Sequence, residues 1–345
     1  MKADILIYRL GSMGDMVIAL PCFRKIRESF PNARRILLTN IPISSKAAPS
    51  QSILGKGVLF DDSIMYPVGL RSPLGLLRLA TQIRRSNAST LIYLMPYRGF
   101  VSMLRDSLFF RCCGVRTVIG MPTLRDLQRN RIDPETGFQE QEYHRLARTL
   151  SALGSVDVDS AKAWDLLLTD FEISGGSAAI AGFGGRPFIA LNMGGKAPEK
   201  DWGEERWRTL LDKLAAAYPG HGFLIVGAAE DSALAQQLGN RHPDRVIDAC
   251  GHLSPRECAA ALKHASLFIG HDSGPLHLAA AVGVTSIGLF GAFNRPKTWH
   301  PHGPSHRIIH RTEGISAITV VEVAIAVSEL LAKRATDVTQ RQVGS

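Results

Sequence analysis

Cysteine is scarce in this chain. Five are spread over 345 residues, none forms a C-x-x-C pair, and the odd number fits no disulfide framework. A zinc ribbon and a stapled secreted scaffold are thereby excluded, and a reducing compartment suits the composition. Aromatic residues are few as well, at 7%. No aromatic stripe runs through the basic positions, and helix-turn-helix and zinc-finger patterns are missing, which argues against a nucleic-acid partner. Long apolar runs are also absent. The longest uncharged stretch, Ser273 to Asn294, holds four glycines and a proline, and reads as a helix followed by a strand rather than a span. The opening ILIYRLGSMGDMVIAL is interrupted by Arg9 and Asp15 and lacks a small-residue cleavage pattern. No signal peptide is therefore expected, and the protein is assigned to the cytoplasm.

Acidic residues are short in one half only. Residues 1–169 carry 23 Lys/Arg against 14 Asp/Glu, whereas residues 170–345 carry 17 of each. The first half thus holds the whole formal excess of +9. Either this is arginine-rich composition without a target, or that half meets an anionic partner: an acidic acceptor, a nucleic acid, or the cytoplasmic face of a membrane. With 45% hydrophobic residues the chain can bury a sizeable core, and its length suits about two domains.

Short apolar strands alternate with amphipathic helices throughout, the pattern of an α/β protein with parallel sheets covered on both faces. In the first half, strands are expected at Ile5 to Tyr8, Arg34 to Thr39, Val58 to Phe60 and Thr90 to Leu94. Helices are expected at Met16 to Ser29, Leu74 to Arg85 and Glu140 to Leu153. The second half repeats the rhythm from Phe188 onward, with Ser254-Pro255-Arg256-Glu257 a well-formed helix start. The glycines at 175, 176, 182, 184 and 185 suggest breaks. The expected organisation is therefore domain 1–170, linker 171–186, domain 187–334 and a frayed tail 335–345.

Three segments can carry chemistry. Gly11-Ser12-Met13-Gly14-Asp15 lies between a strand and a helix, where glycines permit a tight turn and backbone N–H groups can meet an anion. It matches neither a G-x-G-x-x-G fingerprint nor a P-loop. Asp15 reads either as a first-turn acid favouring the helix dipole or as a general base. Asn192 to Trp202 follows a strand, with Gly194 and Gly195 allowing close approach and Lys196 and Lys200 able to neutralise phosphate. Gly270 to Ala281 places Asp272, Ser273 and Gly274 at a helix start, where Ser273 is expected to cap, and returns His277 to the same face. Glu230, Asp231 and Arg295 sit in further strand-end loops of the same half. No metal-ligand set is recognisable.

The GSMGDMV, GGKAPEKDW and HDSGPLHLAAAVGV…GLFGAFNRP segments resemble the heptosyltransferases of lipopolysaccharide core synthesis, glycosyltransferase family 9, over roughly residues 4–330. The resemblance implies a GT-B fold, two Rossmann-like domains facing a central cleft. The first domain would take an anionic lipid-linked glycan acceptor and the second a nucleotide-sugar donor, typically ADP-L-glycero-β-D-manno-heptose. It implies inversion at the anomeric carbon with no metal or other cofactor, and it matches Asp15 to the family base. Gly194, Gly195, Lys196 and Lys200 would line the donor phosphates, and Asp272, Ser273, Gly274 and His277 the diphosphate and sugar. Glu230, or Asp231 beside it, would contact the ribose. Gly11, Ser12, Met13, Gly14 and Arg295 would line the acceptor site or the cleft. Gly194-Gly195 and the loop Asn294 to His302 depart from the family pattern, as does Ser273, often Thr elsewhere. Those departures keep open another nucleotide sugar, for O-antigen or capsule. A noncatalytic sugar-nucleotide-binding protein is the remaining alternative.

Overall fold

The computed structural model describes residues 4–42, 48–195 and 197–343. The chain divides into two compact units, Met1–Leu167 and Leu168–Ser345. The first is built on five parallel strands: β1 (Asp4–Tyr8), β2 (Arg34–Asn40), β3 (Asp62–Tyr66), β4 (Thr90–Tyr93) and β5 (Thr117–Ile119). They lie in the order β3-β2-β1-β4-β5. The second holds six parallel strands: β6 (Phe188–Asn192), β7 (Gly222–Ile225), β8 (Val246–Asp248), β9 (Leu267–His271), β10 (Ser286–Phe290) and β11 (Arg307–His310). Their order is β11-β10-β9-β6-β7-β8.

The central strands are nearly continuous apolar runs, with polar residues only at their ends, because helices cover both faces. Every residue of β6, β9 and β10 is buried, as parallel sheets require. In each unit the strand order reverses once, between β1 and β4 and between β6 and β9. Open parallel sheets bind ligands outside the carboxyl ends of strands at such a reversal. The segments Gly11–Asp15, Asn192–Trp202 and Asp272–Gly274 all leave these strands at that end.

Several expected elements are shifted. The first helix is two, Met13–Val17 and Leu20–Ser29, because Pro21 cannot continue an existing helix but fits the first turn of a new one. Asp15 therefore lies inside a helical first turn rather than in the preceding loop. The third strand is Asp62–Tyr66, while Lys56 and Phe60 make only an isolated bridge.

Residues 171–186 are not a linker. Asp170–Ile180 is a helix of the second unit, capped by Thr169 and Glu172 and packed on the helix Pro255–Leu262. A Cβ on Gly176 would stand 2.5 Å from Ala260 Cβ and 2.6 Å from the Ala261 nitrogen. These glycines permit close helix contact instead of marking a break. Arg256 is buried and bonds Glu172 at 2.5 and 2.9 Å, fixing the pair of helices. The last helix runs from Val320 to Val343, so the backbone expected to fray after Ala335 is helical as far as Val343.

Candidate functional site

In the first unit, Asp15 closes its own turn. Its Oδ2 accepts from the Ser12 backbone N–H at 2.7 Å and from the Ser12 hydroxyl at 3.1 Å. Its Oδ1 faces the buried Arg9 guanidinium at 3.7 Å. Arg9 is held there because it also donates to the Leu94 and Asp15 carbonyls at 2.7 and 3.0 Å, tying the ends of β1 and β4 together. Gly11 donates its N–H to Asn40 Oδ1 at 2.7 Å and has φ +143°. A Cβ at Gly11 would meet the Asp15 side chain at 2.4 Å, so only glycine admits this carboxylate. Ser12 is the N-cap and Met13 and Gly14 begin the helix. The carboxylate remains partly exposed, at 29%.

In the second unit, Lys200 and Asp272 meet. Lys200 Nζ donates to Asp272 Oδ2 at 2.7 Å and to the Asp272 carbonyl at 3.3 Å, and lies 4.4 Å from the centre of the Phe293 ring. Asn294 donates to the same Asp272 oxygen. Ser273 does not cap as expected. Its hydroxyl donates to Asn192 Oδ1 at 2.7 Å, and Asn192 in turn donates to the Val226 carbonyl at 2.9 Å. The helix Gly274–Ala281 therefore begins without a side-chain cap, its first N–H groups open to an anionic ligand.

Gly194 abuts Asp231 rather than Glu230. A Cβ at Gly194 would stand 2.1 Å from an Asp231 oxygen, and one at Gly227 would stand 2.5 Å from it. Asp231 also accepts from the Ala228 N–H at 2.8 Å, whereas Glu230 is exposed on the turn. Gly194→Ala is expected to displace this carboxylate and lower stability by about 1–3 kcal/mol, measured by thermal unfolding. An unchanged melting temperature would show that the loop moves freely.

Gly195 lies beside His271, and His277 is buried on its helix. Arg295 is exposed beyond Asn294 in the loop after β10. Lys196 lies outside the described residues. The sequence assigns no individual role to Arg9, Asn40, Asn192, Phe293 or Asn294, although Asn192, Phe293 and Asn294 stand in segments it singles out. The signal available was position alone: all five lie at or just beyond strand ends, as their bonding partners do.

His271 is fully buried and accepts the Trp202 N–H at Nε2, 3.2 Å away. Burial pushes its pKa down to about 4, and burial and the neighbouring His310 do the same to His300. The unfolded chain takes up these protons near pH 6.5, so the stabilisation is full above that pH. It is lost as pH falls from about 6.5 to 4, at about 2 kcal/mol for His271 by pH 5. The melting temperature should drop between pH 7 and 5, less steeply in His271→Gln. Equal slopes would rule out His271 as a source.

Among the described residues, no group of three or more His, Cys, Asp or Glu side chains is placed to hold a metal ion.

A family model described as glycosyltransferase family 9 (heptosyltransferase) matches residues 103–322. Over 111 residues the chain is 29% identical to lipopolysaccharide heptosyltransferase 3 of Escherichia coli, covering 31% of this chain and 32% of that protein. The matched stretches span 32% to 42% of the curated relatives' lengths. The structure of a glycosyl transferase family 9 protein from Veillonella parvula superposes with a TM-score of 0.73 at 21% identity, covering 96% of this chain and 99% of that one. The E. coli ADP-heptose lps heptosyltransferase II gives 0.66 at 17%, covering 96% and 99%. These likenesses show the fold, two Rossmann-like domains of the GT-B class.

Proposed function

The chain belongs to glycosyltransferase family 9 (heptosyltransferase), and from that premise we propose that it is an inverting, metal-independent transferase acting between a nucleotide sugar and a glycolipid. Heptose from ADP-L-glycero-β-D-manno-heptose onto a lipopolysaccharide core is the donor and acceptor pair favoured here. The observation that carries the reading is the Asp15 turn, where a partly exposed carboxylate is fixed at the carboxyl end of β1.

Oδ2 is bonded to Ser12, so Oδ1 is the oxygen assigned the proton in this reading. The acceptor hydroxyl attacks the anomeric carbon from the face opposite the leaving group. As that bond forms, its proton passes to Asp15 and the bond from C1 to the phosphate oxygen breaks, its electron pair leaving with the nucleoside diphosphate. Lys200 and the backbone N–H groups of Gly274 and Leu276 at the helix start supply positive potential to that departing group, the part a divalent cation would play elsewhere. Asp272, itself bonded by Asn294, holds Lys200 in place before the donor arrives.

A second reading, another nucleotide sugar for a different surface glycan, has one observation in its favour. Asp231 occupies the space that any side chain at position 194 would need, which reshapes the loop assigned to the donor. A panel of ADP-, GDP-, UDP- and dTDP-sugars, read by mass spectrometry on a truncated lipid A oligosaccharide and on a membrane glycolipid extract, separates the two. Transfer from the ADP-heptose donor alone supports the first. Transfer from another donor moves the pathway and keeps the mechanism. Donor binding with no turnover on any acceptor would favour a noncatalytic binding protein.

A further inference from the structure

Nearly all the surplus charge of the chain sits in one short segment. Residues 67–125 contain nine arginines, no lysine and a single acid, Asp106. Asp106 is buried and bound by Arg98 and Arg105 at 2.6 and 2.8 Å. Within this segment, the helices Pro73–Arg85 and Phe100–Cys112 follow β3 and β4 of the first sheet. Leu79 and Ile83 of one and Phe110 of the other enter the same core cluster. Arg84 donates twice to the Cys112 carbonyl, at 2.7 and 3.1 Å, so the two helices lie side by side.

Their outer faces are apolar. Leu74, Leu77, Phe100, Val101, Leu104 and Leu108 are all exposed, Phe100 at 64% and Val101 at 80%. Water-facing side chains of this kind on adjacent helices form an exposed patch rather than scattered surface residues. Arg78, Arg85 and Arg111 are exposed on the same helices, and among the described residues none of them has a carboxylate partner. Aliphatic anchors flanked by unopposed arginines are what an anionic bilayer surface recognises. A second copy of the chain is disfavoured, since a two-fold contact through this face would set arginines against arginines. Among the described residues no helix is long and apolar enough to cross a membrane, so attachment by these helices would be to the surface.

We propose that the paired helices Pro73–Arg85 and Phe100–Cys112 dock the first unit onto anionic phospholipid, with Leu74, Leu77, Phe100 and Val101 entering the headgroup boundary. These residues lie in the first two turns of helices that leave the carboxyl end of the sheet, the end that also carries Asp15. A glycolipid held in the same bilayer would then be presented on the catalytic side. That last consequence rests on the transferase reading; the docking itself does not.

The test is sedimentation of the purified full chain with sucrose-loaded vesicles of phosphatidylethanolamine and phosphatidylglycerol, without donor or acceptor, against phosphatidylcholine vesicles. Preference for the anionic vesicles, weakened by salt, is expected. The variant Leu77→Ser/Val101→Ser/Leu104→Ser should lose at least tenfold in partitioning. Arg78→Gln and Arg111→Gln should each lose about fivefold, with melting temperatures held within a few degrees. Transfer to a water-soluble, deacylated acceptor should be unchanged in these variants, while transfer to vesicle-embedded acceptor falls. Equal binding by the triple variant would overturn the proposal. So would a wild-type chain that ignores anionic vesicles and forms a dimer that the triple variant cannot form.

Discussion

Asp15→Asn is expected to lower kcat for sugar transfer by a factor of about 10²–10⁴, the range in which a positioned general base contributes, while leaving donor affinity within about twofold. The substitution is close to isosteric. The amide oxygen can take over the Oδ2 role and accept from the Ser12 N–H, so the turn is preserved. What disappears is the second oxygen, the one assigned the acceptor proton. The amide nitrogen that replaces it would face Arg9, which keeps its bonds to Leu94 and the residue-15 carbonyl. Because the buried Arg9 loses its facing carboxylate, stability should fall by about 1–3 kcal/mol while the turn persists. Steady-state kinetics paired with calorimetry of donor binding makes the separation clean. Full activity in Asp15→Asn would remove the carboxylate from the mechanism, and loss of donor binding would make its role structural.

Lys200→Gln should fail differently, at the donor. Lys200 gives one charge-assisted bond to Asp272 at 2.7 Å, and in the proposed complex it compensates the diphosphate. A hydrogen bond to a charged group contributes about 1.5–3 kcal/mol. Donor affinity should thus fall by a factor of about ten to more than a hundred, with a further loss in kcat because the leaving group is less stabilised. Asp272 retains Asn294 as a donor, which limits the penalty of leaving its carboxylate without a cation. Lys200→Arg should recover only part of the affinity, since a planar fork does not reproduce a point charge stacked 4.4 Å over Phe293. Donor affinity equal to wild type in Lys200→Gln would detach this lysine from the phosphates.

The contrast between these two variants follows from where the sequence placed the residues. Both motifs were legible because each combines glycine, a polar group and a strand end, and parallel sheets put such segments at one edge. The α/β class and most strands of the second half were legible for a related reason: buried parallel strands are nearly continuous apolar runs. The capping box at Ser254 was readable in full, and Glu257 and Ser254 do bond reciprocally at 2.9 and 3.3 Å.

Other features were hidden in three-dimensional packing. Gly175 and Gly176 looked like a break because a sequence does not reveal that Glu257 lies against the first and Ala260 against the second. Ser273 looked like a cap because its competing partner, Asn192, is 81 residues away. Thr117–Ile119 and Arg307–His310 escaped notice as strands, being short and only half apolar at the sheet edges. Arg9 read only as an interruption of an apolar stretch, yet it is the buried cation that joins the Asp15 turn to the end of β4.

The most direct measurement is the anomeric configuration of the product formed in excess EDTA. Purified protein would be given a β-linked ADP-heptose and a truncated lipid A oligosaccharide, and the new linkage read by proton and carbon NMR. Direct displacement with Asp15 as base requires an α-linked product at an undiminished rate in EDTA. A β-linked product, or turnover that returns only when a divalent metal is restored, would contradict it.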